Sequence, residues 1–388
     1  MLALLASAEL LGMSLWFTAS ATAPQLRELW DLTAAQAGWL TMVVQLGFVA
    51  GTALAALLNL ADVLPDRPYF AGAALLAALA NAALLVVPGY EMALATRFLT
   101  GLCLAGVYPP AMKMIATWFR ERRGLAIGTI VGALTIGKAL PYLVSAFHTA
   151  DHRFVVLTAS AGAVLAALLV FASYRPGPFP FARRPFSWGL VGAVVRHRET
   201  RLAIGGYLGH MWELYAVWAA LSIFFFDFFS ARGAAPASAA TVAGVITFAA
   251  ISAGGIGSVV AGAWADRLGR ERVAAAAMAV SGLCALTLGW MTVAPAALVV
   301  TIALIWGFAV VADSAQFSAL VTEVAPPHAV GTALTLQTSL GFLLTAGTIW
   351  LTFRVSAAWG WGAAFSLLAV GPTFGIWQML DLQRARSG

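Results

Sequence analysis

Six ionisable side chains stand inside long apolar runs of this chain: Glu9, Arg97, Lys113, Lys138, Glu213 and Asp313. Hydrocarbon does not solvate charge, so each needs a partner or a water-filled cavity, and each is a candidate functional group. Lysine usage sharpens the choice. Of 22 basic residues only Lys113 and Lys138 are lysines, whereas the connecting segments use arginine throughout. An ammonium is a compact point charge that adapts to burial, while a guanidinium stays charged. Arg97, Lys138 and Lys113 are therefore candidate anion-binding groups. Lys113 has a second reading, snorkelling to the membrane surface, because it stands five residues before Trp118. Glu213 lies in His210-Met211-Trp212-Glu213-Leu214-Tyr215. A buried carboxyl can carry a proton, and His210 on the same helical face can relay it; a structural ion pair is the alternative. Glu9 and Asp313 are further proton-coupling candidates. Tyr108, Trp212 and Tyr215, with Trp16, Trp218 and Trp306, supply candidate aromatic walls.

The elements that hold these residues follow from composition. The 388 residues are 61% hydrophobic and 10% charged, with a mean hydropathy of +0.89. Soluble domains carry about 25% charged residues, so a soluble enzyme is excluded. Apolar stretches of about 20 residues, each enough to cross a bilayer, recur over 2–23, 35–57, 69–88, 92–117, 124–147 and 154–174. Six more follow at 202–229, 239–264, 273–292, 296–322, 329–353 and 358–380. Prolines and glycines punctuate them, among them Pro24, Pro65, Pro88-Gly89, Pro236, Pro295 and Pro326-Pro327. The first run has no basic leader and reads as helix 1 rather than a signal peptide. Cys103 and Cys284 sit in apolar stretches and read as buried thiols.

With both ends of the chain on one side, 15 arginines fall in the connections of that side and four on the other. The positive-inside rule then makes the arginine-rich side cytoplasmic, as expected of a multi-pass protein of a bacterial inner membrane. The net charge of +6 is topological and gives no reason to expect nucleic acid. Residues 175–201 form the longest connection, a basic cytoplasmic linker between an N-terminal bundle (1–174) and a C-terminal bundle (202–388).

The two bundles echo one another. Asp62 and Asp266 are 204 positions apart, Glu9 and Glu213 again 204, and Gly124 and Gly331 are 207 apart. Such an offset indicates a duplicated parallel bundle. The segment Gly262-Ala263-Trp264-Ala265-Asp266-Arg267-Leu268-Gly269-Arg270 resembles the cytoplasmic signature of the major facilitator superfamily. Its counterpart is degenerate, with Leu58 at the usual glycine and only Asp62 and Arg67 retained. Arg97-Phe98-Leu99-Thr100-Gly101 is similar to the family's Arg-x-x-x-Gly element, and Trp118 to Gly124 resembles the loop before helix 5.

The resemblance implies an all-α membrane protein of twelve transmembrane helices in two pseudo-symmetric six-helix bundles, the major facilitator fold. It implies alternating access around a site lined by helices 1, 4, 7 and 10, where five of the six buried ionisable residues fall. Asp62, Arg67, Gly262, Asp266, Arg267, Gly269 and Arg270 become candidate latch residues, a carboxylate pairing with arginines to stabilise one closed state. Specific subfamilies fit less well. Where family nitrate transporters carry an arginine in helices 2 and 8, helix 2 offers Gln45 and helix 8 no cation. The Gly-Pro element of drug–proton antiporters is absent from helix 5, where Gly137 precedes Lys138 and Pro141 comes later.

The expectation is a monomeric secondary transporter, not an enzyme, that symports a small organic or inorganic anion with protons and needs no cofactor or metal. A proton-driven efflux antiporter of a small amphipathic compound is the alternative, and a non-transporting receptor the alternative of another class.

Overall fold

Backbone groups in hydrocarbon have no water to bond, so apolar runs close their hydrogen bonds internally as helices. A computed structural model describes residues 1–58, 60–119, 123–147, 151–179 and 187–387. Arg120, Arg122, Arg183 and Arg184 lie outside the described residues, as do the side chains of Asp62 and Arg123 and the surroundings of Gly124.

The helices begin with α1 Leu2–Met13, α2 Thr18–Ala21, α3 Ala23–Trp30, α4 Ala34–Leu57, α5 Leu60–Val63 and α6 Asp66–Ala83. They continue with α7 Tyr90–Leu104, α8 Tyr108–Ala116, α9 Arg123–Phe147, α10 His152–Ser173, α11 Trp188–Arg196 and α12 Arg198–Ser230. The last are α13 Pro236–Leu268, α14 Arg270–Leu288, α15 Ala296–Ala312, α16 Ser314–Val324, α17 Val330–Leu368 and α18 Val370–Ser387. Among the described residues nine helical stretches are long and apolar enough to cross a membrane. One of them, Val330–Arg386, holds 57 residues and reverses at Gly360, whose φ of 79° suits a residue without a side chain. Beyond it the chain runs back along α12: Trp361 meets Asp227, Gly375 meets Gly209, and Gln378 meets Gly205.

Three of the spans expected to be continuous are broken, besides the last, 358–380, which holds the reversal at Gly360 and a further break at Ala369. Ser14–Phe17 separates α1 from α2, Ala105–Val107 separates α7 from α8, and Asp313 separates α15 from α16. The second break has a covalent cause: Pro109 and Pro110 open α8 and have no N–H for the turn before them. At the first, hydroxyls compete for backbone carbonyls. Ser14 Oγ donates to Leu11 O at 2.7 Å, and Thr18 Oγ1 to Leu15 O at 3.1 Å. The linker also differs from expectation, since α11 forms within it and α12 begins at Arg198, inside its expected span. Its first residues are pinned to the end of α8: Trp118 Nε1 donates to Arg175 O, and Phe179 N to Thr117 O, each at 3.0 Å.

Residues before the linker meet those after it along two seams. Helix α9 runs antiparallel to α13, with Gly128 against Ser258, Gly132 against Gly255 and Tyr142 against Gly244. Helix α4 meets α17 through Phe48 and Phe342 (ring centroids 4.5 Å apart) and through Gly38 and Phe353. The antiparallel seam puts the α8–α9 and α13–α14 connections at one end of the bundle, called the basic end below.

Candidate functional site

Lys138 occupies the middle of this packing. Its ammonium donates to the Tyr215 hydroxyl of α12 and lies 4.0 Å from the Trp16 ring centre, 4.7 Å from that of Tyr215 and 5.7 Å from that of Trp218. Ring faces attract a cation, and the attraction grows when water is excluded. Lys138 is 2% exposed. Phe17, Phe48 and Phe342 complete the wall, the last 5.3 Å from Tyr215 and 5.7 Å from Trp16. The site thus joins α1, α4 and α9 to α12 and α17.

The sequence positions Lys138 through its neighbour Gly137. A Cβ there would fall 2.1 Å from Leu10 O, so α1 and α9 cross at van der Waals contact with Glu9 and Lys138 flanking the crossing. The two charges interact electrostatically, and half-buried Tyr108 also feels Glu9. Both carboxylate oxygens of Glu9 are buried and find no hydrogen-bond partner among the described residues. The same holds for Trp16 Nε1, Trp218 Nε1, both amide atoms of Gln45 and Gln337 Oε1.

Arg97 is fully buried but employed elsewhere. Its Nη1 donates to Asn81 Oδ1 at 2.8 Å, and its Nη2 to Leu15 O at 3.1 Å and Trp16 O at 2.6 Å. These carbonyls belong to the break after α1, where the helix supplies no N–H for them; a guanidinium there also suits the negative end of the helix dipole. Lys113 lies at the basic end, 29% exposed, with its ammonium 3.5 Å from Asp66. Trp212 leaves the centre as well, donating from Nε1 to Leu367 O at 3.2 Å.

The remaining acids form two separate arrangements on α12. Glu213 accepts from Trp306 Nε1 at 2.6 Å and from Ser281 Oγ at 2.9 Å, so neutral donors from α15 and α14 satisfy both oxygens. One turn away His210 Nδ1 lies 2.8 Å from Asp313 Oδ1, while Nε2 meets Ser314 Oγ at 3.0 Å. That pair sits at the α15–α16 break and is covered by Tyr207 and Phe317.

The signature residues meet at the basic end. Gly269, with φ 90°, turns the chain from α13 into α14, and Gly262 is buried in α13. Arg270 reaches Asp266 at 3.6 Å, Glu323 of α16 at 2.7 Å and Gln316 Oε1 at 3.1 Å; Glu323 and Glu271 in turn hold Arg386. Arg267 is exposed in the last turn of α13. Arg67 bonds to Phe171 O and lies over the Phe171 ring. Among the described residues no His, Cys, Asp and Glu cluster could hold a metal. Sequence reasoning had no signal for Asn81 or Ser281 as partners, because each is joined to its charge only by tertiary packing.

Comparison with known proteins agrees with this architecture. A niacin transporter, NiaP of Acinetobacter baylyi, is 35% identical over 121 residues, 30% of this chain and 27% of that protein. An MFS-type transporter, pytF of Aspergillus terreus, is 26% identical over 189 residues, 47% of this chain and 59% of that one. The matches therefore span less than two thirds of either curated relative. The crystal structure of the human organic anion transporter MFSD10 (TETRAN) superposes with a TM-score of 0.72 at 16% identity, covering 97% of this chain and 99% of that one. The family model of the Major Facilitator Superfamily matches residues 4–348, and the chain, a multi-pass membrane protein, belongs to that superfamily.

Proposed function

We propose that this transporter carries a small organic anion in symport with a proton by alternating access. One observation carries the reading: the Lys138 ammonium is buried at the junction of residues 1–174 with residues 202–388, amid hydrogen-bonding groups without partners among the described residues. A rocking carrier binds its cargo at that junction. Charge balance supplies the coupling. Lys138 and ionised Glu9 together are neutral, so an arriving anion leaves one uncompensated negative charge. Burying such a charge costs several kcal/mol, and a proton on Glu9 removes it. Glu9 is within electrostatic reach of Lys138 on α9 and Tyr108 on α8, and its oxygens, without a hydrogen-bond partner among the described residues, leave it free to accept that proton. His210 and Asp313 form a second protonatable pair, whereas Glu213 is held by neutral donors. The names of the relatives, a niacin transporter and an organic anion transporter, favour an organic over an inorganic anion.

In this reading the basic end faces the cytoplasm, as its arginine excess requires, and the Asp266–Arg270–Glu323 cluster braces that end. The test is uptake of a panel of labelled organic anions into proteoliposomes. At least one anion enters faster under an inward proton gradient, stops entering with a protonophore, and is not taken up by Lys138→Ala. Uptake indifferent to the gradient across the panel, or unchanged in Lys138→Ala, overturns the proposal. Binding without flux makes the protein a receptor.

A further inference from the structure

The walls around Lys138 say more about the anion than its charge does. The ammonium lies against ring faces: Trp16 at 4.0 Å, Tyr215 at 4.7 Å and Trp218 at 5.7 Å. Behind them Phe48 and Phe342 lie 4.5 Å apart with planes inclined at 46°, and Trp16 lies 5.1 Å from Phe48. Such spacings are those of aromatic side chains in direct contact, so the wall beside Lys138 is built of rings, which flat, polarisable cargo covers better than a branched or strongly hydrated one. The polar atoms left over have a pattern as well. Two buried indole N–H groups, Trp16 Nε1 and Trp218 Nε1, and the buried amide of Gln45 have no partner among the described residues. Buried donors of this kind are rare in folded proteins and call for an acceptor. Trp16 and Trp218 carry theirs on the same rings that face the Lys138 ammonium, so unspent donors belong to the rings around the cation.

Tyr215 completes the picture. Its hydroxyl is the oxygen that Lys138 holds now, and it comes from the far side of the seam on α12. A phenol presents an oxygen on a planar ring, the shape and chemistry of an aromatic acid. We infer that the substrate is a planar aromatic carboxylate, and that the Tyr215 phenol stands in its place, releasing Lys138 when the substrate's carboxylate arrives. This inference rests on the organic-anion reading above. In the bound state the carboxylate takes the Lys138 ammonium, and its ring packs against Trp16 and Tyr215 once the two parts of the chain draw apart.

The competition makes an unusual forecast. Removing a binding-site hydroxyl ordinarily weakens binding, but Tyr215→Phe removes the competitor and keeps the ring. A charged hydrogen bond lost from the unbound state is worth roughly tenfold in affinity, so benzoate binds Tyr215→Phe about that much more tightly than the parent. Calorimetry on the purified full-length protein, with intrinsic tryptophan fluorescence as a second readout, compares three probes. Benzoate tests the class, cyclohexanecarboxylate keeps the charge without the flat ring, and benzamide keeps the ring without the charge. Benzoate binding at least tenfold tighter than either control, lost in Lys138→Ala and strengthened in Tyr215→Phe, is the expected result. Melting curves with and without benzoate confirm that each variant is folded, and Lys138→Met, which keeps the length of the side chain without its charge, serves if Lys138→Ala is not. Cyclohexanecarboxylate binding as well as benzoate, with both lost in Lys138→Ala, overturns the aromatic class and leaves the anion reading standing. Benzamide binding as well as benzoate, or benzoate binding that survives Lys138→Ala, overturns both. Weaker benzoate binding by Tyr215→Phe overturns the stand-in role of the phenol.

Discussion

Replacing Arg97 separates two roles that a buried cation can have. A cation inside an apolar run is a candidate substrate ligand, but the geometry of Arg97 makes it the tie that closes the break after α1. Arg97→Met keeps most of the side-chain volume and leaves Leu15 O, Trp16 O and Asn81 Oδ1 without their donor. Hydrogen bonds to charged groups are worth about 1.5–3 kcal/mol each in proteins generally, whereas side-chain bonds inside membranes average about 0.6 kcal/mol. Three bonds at an intermediate value give a loss of about 3 kcal/mol. With about 2 °C per kcal/mol in a large domain, the melting temperature falls by about 6 °C. Arg97→Lys retains one point charge and falls by roughly half as much, since an ammonium lacks the fork that spans three acceptors. Fluorescence-detected melting in detergent reads the loss, and benzoate calorimetry on the same samples reads affinity. Affinity is expected to fall only in proportion to the unfolded fraction. A variant that melts within about 2 °C of the parent while losing anion affinity tenfold refutes the tie and returns Arg97 to the substrate.

Other perturbations follow from the same geometry. Glu9→Gln mimics the protonated carboxyl, so counterflow exchange of anion persists while accumulation driven by a pH gradient is lost; accumulation at the parent's level excludes Glu9 as the proton carrier. Gly137→Ala puts a Cβ 2.1 Å from Leu10 O, an overpacking that costs about 1–3 kcal/mol; a lower melting temperature and weaker anion binding are both expected. Arg270→Ala removes half-buried contacts to Asp266, Glu323 and Gln316, each worth at most about 1 kcal/mol. Its melting temperature drops by only a few degrees, and the difference from the parent shrinks as salt is raised from 0.05 to 0.5 M, on the order of tenfold in ionic strength.

The spans and the signature were legible because hydropathy and a fixed offset are properties of the chain itself. The breaks were less so. Pro109 and Pro110 announce theirs, but the break at Ser14–Phe17 depends on a guanidinium that arrives from α7, and no local pattern encodes that arrival. For the same reason the buried ionisable residues could be picked out while their partners could not. Lys113 and Lys138 look alike as lysines in apolar runs, yet one meets Asp66 at the basic end and the other a ring of aromatics. Glu9 and Glu213 occupy matching places in the duplication, yet Glu213 has Trp306 and Ser281 against it and Glu9 has no counterpart of either. Duplication passes on positions, and the later divergence of neighbouring helices decides what each position does.

The distribution of charge between the two parts of the chain bears on how they move. Every ion pair among the described residues joins groups on one side of the linker: Lys113 with Asp66 before it, and His210 with Asp313 and Arg270 with Glu323 after it. The contacts that cross are of another kind. Lys138 meets the Tyr215 phenol, Tyr142 Oη donates to Trp218 O at 3.2 Å, Phe48 faces Phe342, and Arg27 attracts Asp227 only at longer range. Parting two ionised groups in a dry interior would cost several kcal/mol. Parting an ammonium from a phenol and from ring faces costs far less, and less again when a carboxylate takes the phenol's place. In the proposed cycle the bundles therefore separate along a seam of rings and neutral hydroxyls, and the cargo replaces the Lys138–Tyr215 contact that must be broken at its centre.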